Sequence, residues 1–382
     1  MIDIETMSIL VVDDMKSMRL TIRKMLRNLN IGKMLRFADN GKTGLEVLRS
    51  TPCDLAIIDW NMPEMNGSQM LHHLRQDKML RDMPVIMVTA ENERDIVAEV
   101  AEHEIDAYLL KPLTLAALDS KIKSVVANVN NPDEATQHLL NAREYEEAGN
   151  IEGAIEQIRL ALFHKPSASR ILRKLGLLHF KVKKAAIGEK CLKKAISVNK
   201  QDTISRDHLS RVYIKKREYR KAARIYLEIL SLSTRYFDSA TRLGENMLVN
   251  GYKGEALALF SKVISRSKGN TALKERIIDI CLDNHELEYV TQIMEQTLKE
   301  NPSNYDLMFK AGLVYMENGD YEKALSNFRT VDSNRKGDVE AKLQIARIYY
   351  INRKVLKADD YLNQVLRIDP GNKDALSLRQ EL

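Results

Sequence analysis

DLAIIDW, Asp54–Trp60, sets four apolar residues between two aspartates and ends on Asp59 and the chain's only tryptophan, Trp60. A short, near-continuous apolar run that ends in a polar residue is the pattern of a parallel strand buried on both faces. Three other runs share it: SILVVD (Ser8–Asp13), PVIMVT (Pro84–Thr89) and AYLLK (Ala107–Lys111). Such strands belong to a doubly wound α/β sheet, where ligands bind in the crevice at the carboxyl ends. The polar residues at or just beyond these ends, Asp13, Asp14, Asp59, Asn61, Thr89, Glu91 and Lys111, are therefore predicted to converge although they lie far apart in the chain.

These side chains suit phosphoryl transfer. Three carboxylates held together in charged form require a cation, and Mg²⁺, with its preference for hard oxygen ligands and retained waters, answers that need. Asp13 and Asp14 would hold the metal, while Asp59 would serve as ligand and as the nucleophile that takes a phosphoryl group. Lys111 offers a point charge to the product and Thr89 a hydroxyl. An Asp-Asp pair alone reads more readily as a turn or helix cap; its company of Asp59, Thr89 and Lys111, in order, favours the phosphoacceptor site. His72 and His73 read as solvated helix residues, and no Cys or His spacing suggests zinc.

At these residues the chain resembles the receiver domain of bacterial two-component response regulators. VVDDMKSMR, IIDWNMPEMNG, MVTAE and YLLKP look most like the single-domain chemotaxis receivers. The resemblance implies a five-stranded parallel sheet of order 2-1-3-4-5 over residues 1–127 and a histidine kinase as phosphodonor. It also implies direct metal contact by Asp14, contact by Asp13 through water, and a ligand from the Asn61 backbone carbonyl. Tyr108 matches the family's switch aromatic, whose ring turns inward when Thr89 moves to the phosphoryl group. Asn61 and Glu91 would flank the water that hydrolyses the phosphoryl bond and set its lifetime.

Beyond residues 128–134 (NVNNPDE), a polar break containing a proline and predicted as a linker, the sequence repeats. Residues 135–372 divide into seven blocks at the tetratricopeptide (TPR) period of about 34 residues, starting at Ala135, Ser169, Thr203, Phe237, Thr271, Tyr305 and Val339. A small residue that lets two helices approach recurs as Ala154, Gly188, Ala222, Ala256, Ala324 and Ala358, with Val290 as the exception. Residues 373–382 read as a short amphipathic capping helix. The predicted second part is an all-α TPR superhelix that buries a continuous core and presents a surface to proteins or peptides.

Charge is uneven. Of 59 Lys/Arg and 53 Asp/Glu, residues 1–130 hold 16 and 19, leaving 43 and 34 for the rest. The basic excess gathers in repeats two and three. The TPR pattern places Arg170, Arg173, Leu177, Phe180 and Lys181, then Arg211, Ile214 and Lys215, along a partner groove, with Asp238, Glu245, Glu275, Asp279 and Asp283 at equivalent positions in repeats four and five. An acidic protein partner or a solvated face accounts for the run better than nucleic acid, since no nucleic-acid signature accompanies it. Three scattered cysteines form no disulfide framework. No signal peptide or membrane-length apolar run appears, so a cytoplasmic protein without membrane insertion is expected. The reading is a phosphoacceptor protein, not a turnover enzyme, whose output is protein binding by the TPR array; the alternative is a phosphate sink or a scaffold indifferent to phosphorylation.

Overall fold

The computed structural model describes residues 1–90, 105–267 and 269–382. Among them, β1 (Ser8–Val12), β2 (Met34–Ala38), β3 (Leu55–Asp59), β4 (Val85–Thr89) and β5 (Ala107–Leu110) form one parallel sheet of order β2-β1-β3-β4-β5. Successive strand residues point to opposite faces, so each apolar run feeds two cores. Leu10, Val12, Ala56, Ile58, Val85 and Met87 pack with α2 (Gly41–Ser50) and α3 (Gly67–Gln76). Ile9, Val11, Ile57, Ile86 and Val88 pack with α1 (Lys16–Asn28) and α4 (Leu115–Asn130). The edge strand β2, MLRFA, is only partly buried, and its apolar run is broken by Arg36.

Helix α4 takes in the first three residues of the stretch predicted as linker and leaves residues 131–133 between elements. Asn130 explains the extension: its side chain accepts from the Ile2 N–H and donates to the Ile2 carbonyl, both at 2.7 Å. Asp133 then caps α5 (Glu134–Glu147) by accepting from the Thr136 N–H.

The chain divides into two compact units, Met1–Val212 and Tyr213–Leu382. The first joins the sheet domain to α5, α6 (Ile151–His164), α7 (Ser169–Lys181) and α8 (Ala185–Val198), and takes in most of α9 (Thr203–Lys215). The division therefore falls well beyond the compositional break. In the second unit follow α10 (Tyr219–Leu232), α11 (Phe237–Val249), α12 (Lys253–Arg266), α13 (Thr271–Asp283), α14 (Leu287–Glu300), α15 (Tyr305–Glu317), α16 (Tyr321–Asn334), α17 (Val339–Ile351) and α18 (Val355–Ile368). The final helix, α19 (Lys373–Gln380), buries Ala375 against Leu343, Ala346, Leu362 and Val365, with Leu378 and Leu382 alongside.

The turn inside each helix pair has one backbone solution. Gly149, Lys183, Arg217, Gly251, His285, Gly319 and Arg353, each 34 residues after the last, all have φ between +56° and +81°. Glycine adopts this left-handed region freely and other residues at a cost. Two other glycines make room for rings: a Cβ on Gly244 would lie 2.4 Å from the Phe260 ring, and one on Gly312 2.6 Å from the Phe328 ring.

Candidate phosphoacceptor site

Asp59 ends β3, Thr89 ends β4 and Lys111 follows β5, so parallel pairing brings all three to the carboxyl end of the sheet. The backbone ties them further: the Lys111 N–H donates to the Thr89 carbonyl at 2.8 Å, and the Trp60 N–H to Val88 at 2.8 Å. Asp13 and Asp14 follow β1, and the acceptor oxygens of Asp13, Asp14 and Asp59 all lie within 4.8 Å of one another. Asp13 and Thr89 are buried, Asp59 is 5% exposed and Asp14 is open to solvent.

The Lys111 ammonium joins the cluster, 2.7 Å from Asp59 Oδ1 and 3.1 Å from Asp13 Oδ2. Burial raises the Asp59 carboxyl above its ordinary value; the hydrogen bond and charge of Lys111 oppose this, and Asp13 and Asp14 add to it. Burial works against the Lys111 charge, but Asp59 and then Asp13 outweigh it and hold the amine above its ordinary value. A carboxylate disfavoured by burial and like charges, beside two others, is a donor set that fits a hard divalent cation. The other Asp13 oxygen, Oδ1, accepts from the Met15 N–H at 2.8 Å, so both its oxygens already carry protein donors.

The loop after Asp59 is built to close tolerances. A Cβ on Gly67 would fall 2.2 Å from the Asp59 carbonyl oxygen, and the Gly67 N–H donates to the Trp60 carbonyl at 2.9 Å. Asn66 caps α3 in a reciprocal box with Gln69. Asn61 is exposed at the mouth of the site, and Trp60 and Tyr108 are half-buried against the core that contains Ile58. The Lys121 ammonium sits 5.7 Å from the Tyr108 ring centre. Glu91 lies outside the described residues. His72 and His73 are exposed on α3.

Arg19 was not singled out from the sequence. Its guanidinium donates to the carbonyls of Asp13, at 2.5 Å, and Asp14, at 3.1 Å, and so holds the acidic turn. Its place in α1, one to two turns past the acidic pair, is the signal that could have found it.

Two residues expected in a partner groove are elsewhere. Arg173 is 7% exposed and its guanidinium is 2.8 Å from the buried Asp202 carboxylate, which also accepts from the Ser205 N–H and hydroxyl at the start of α9. The arginine is recruited to a helix cap. The Phe180 ring lies where a Cβ on Gly188 would be 2.8 Å away, so it fills the gap between α7 and α8. Leu177 and Ile214 are half-buried; Arg170, Lys181, Arg211 and Lys215 are exposed. Lys174 and Lys181 share Glu146, and Arg211 pairs with Asp207. Among the acidic positions, Asp238 pairs with Arg276, Asp279 with Lys310, and Glu275 accepts from Asn304, while Glu245 and Asp283 are exposed. Much of both charged strips is thus matched within its own unit.

The response regulator receiver domain family matches residues 9–123, and two tetratricopeptide repeat families match residues 292–332 and 315–382. The chain is similar to the chemotaxis protein CheY of Pseudomonas aeruginosa, 41% identical over 124 residues that make up 32% of this chain and 99% of that protein. It is 37% identical to chemotaxis protein CheY-3 of Vibrio cholerae over 121 residues, 32% of this chain and 92% of that one. Among solved structures it is similar to the signal receiver domain of a signal transduction histidine kinase from Syntrophus aciditrophicus, at 27% identity and a TM-score of 0.31, over 34% of this chain and 96% of that one. No helix among the described residues is long and apolar enough to cross a membrane.

Proposed function

Because this chain belongs to the response regulator receiver family and carries tetratricopeptide repeats behind its receiver, we propose that Asp59 accepts a phosphoryl group from a histidine kinase and that this event changes which proteins the repeat array binds. The observation that carries the reading is the buried Asp59 carboxylate, 2.7 Å from the Lys111 amine and grouped with Asp13 and Asp14.

Asp14, Asp59 and the Asn61 carbonyl would hold Mg²⁺ directly, and Asp13 through water. When bound, the ion offsets charge on the phosphoryl oxygens. An Asp59 carboxylate oxygen forms the new bond to phosphorus as the kinase histidine leaves. Lys111, already at the site, exchanges part of its contact with Asp59 for a phosphoryl oxygen, and the Thr89 hydroxyl donates to another. Phosphorylation adds about −1.5 to −2 charges at pH 7, which is the force that moves Thr89 and lets Tyr108 turn. Asn61 and Glu91 admit the hydrolytic water, so the chain acts only on its own phosphoryl group. A cytoplasmic location accords with a kinase partner.

The test is a pull-down with wild-type and Asp59→Asn protein, each with and without a small phosphodonor and Mg²⁺. Partners gained or lost only by phosphorylated wild type support the switch. A partner set indifferent to both treatments, alongside normal labelling of Asp59, would identify a phosphate sink on a constant scaffold. An acidic partner remains favoured for the exposed cations Arg170, Lys181, Arg211 and Lys215.

A further inference from the structure

Within the unit Met1–Val212, the receiver meets the first repeats at the sheet end opposite Asp59. The loop between α3 and β4 presents Arg81 and Asp82 side by side. Helix α5 presents Arg143 and Glu147, one turn apart on a single face. The pairs cross: Arg81 bonds to Glu147, and Arg143 to Asp82. Arg75 prepares the loop, donating to the carbonyls of Arg81 at 3.0 Å and Met83 at 2.9 Å, and to Asp106 at 2.9 Å. Burial raises the Asp106 carboxyl, and Arg75, the Val85 N–H and then Arg170 of α7 oppose it. Arg170, expected to face an outside partner, lines one cleft with Arg75 and Arg81 of the receiver.

We propose that the face of α5 and α7 bearing Arg143, Glu147 and Arg170 is a docking surface for the chain's own receiver, charge-matched to Arg81, Asp82 and Asp106 and released without unfolding either side. Reversibility follows from the character of the contact. The four crossed side chains remain between 23% and 59% exposed, which puts them in the weak, salt-screened class of ion pairs. A cleft of about 550 Å³ separates the two sides, lined by Arg75 and Arg81 opposite Leu139, Arg143, Arg170 and Leu177. Polar, incompletely filled contacts are typical of domains that move. Asp106 and Lys111 bracket β5, so the strand that carries the phosphate-binding amine also ends at the dock. The regulatory use of docking rests on the switch proposed above: an array partner that needs this face must displace the receiver. Docking itself needs no phosphoryl group.

The test uses the unphosphorylated full chain. Reversing the receiver side, with Arg81→Glu and Asp82→Lys together, should raise the radius of gyration in solution scattering and speed proteolysis at residues 131–133. Far-UV circular dichroism should stay unchanged. Adding Arg143→Glu and Glu147→Arg rebuilds the crossed pairs in the opposite sense and should return both readouts to wild type. High salt should expand the wild type. A receiver-side variant as compact as wild type, or a fourfold variant as open as the double one, would overturn docking. Neither readout involves Asp59, so that result would leave the phosphoacceptor reading standing, and failure of Asp59 to take phosphate would leave docking standing.

Discussion

Asp59 stands in a site whose electrostatics weigh against its own charge. Burial raises its carboxyl, Lys111 opposes, and Asp13 and Asp14 add repulsion. A raised carboxyl contributes stability below its unfolded-state value and loses it as pH rises through the folded one. At neutral pH without a cation, the ionised side chain therefore weighs against folding. Asp59→Asn is expected to melt higher than wild type in chelator at pH 7 while taking no label from a small phosphodonor; a lower melting temperature would contradict the charge assignment. Trp60, next to Asp59 and half-buried, supplies a second measurement. Its emission should change on adding Mg²⁺, and Asp14→Ala should abolish the response; an emission unmoved by Mg²⁺ in wild type would count against a formed site. Arg173 teaches the opposite lesson. Reversal to Glu would set a carboxylate against buried Asp202, so Arg173→Glu would report on folding and not on a partner.

At the scale of elements, the strands were legible because each apolar run serves two cores, and the edge strand β2 was not, because half its surface faces solvent and Arg36 interrupts it. The repeats were legible through the small residues at close helix approaches, but the turns only in part. Gly149 and Gly319 announce the left-handed turn, whereas Lys183, Arg217, His285 and Arg353 adopt it without any sequence sign. At Lys183, His285 and Arg353 the packing of the two flanking helices overrides local preference. A non-glycine residue in this region costs about 1–2 kcal/mol, part of which glycine returns through its freer unfolded chain. Arg353→Gly and His285→Gly, at exposed sites, are each expected to stabilise by up to about 1 kcal/mol, and Gly319→Ala to destabilise similarly. Chemical denaturation would read all three; a destabilised Arg353→Gly would show that the Arg353 side chain, and not its backbone, matters.

For the whole molecule, the two compact units invite separate perturbation. If the Asp13, Asp14 and Asp59 cluster takes Mg²⁺ as proposed, the ion should raise the calorimetric transition of Met1–Val212. Truncation at Asn372 uncovers Leu343, Ala346, Leu362 and Val365 and should lower that of Tyr213–Leu382. If both treatments moved one shared transition equally, the units would be a single cooperative body. Sequence pattern and the resemblance it carries pointed to a receiver and an array, since apolar runs, strand-end carboxylates and a fixed period are local features legible without coordinates. What the receiver touches was decided only in three dimensions. The crossing of Arg81 and Asp82 with Glu147 and Arg143 depends on two surfaces meeting at one angle. The burial of Arg173 depends on where the α9 cap falls. No residue carries a sign of its distant neighbour, so a cation count can describe charge but not its pairing, and pairing separates a partner site from a helix cap or a dock.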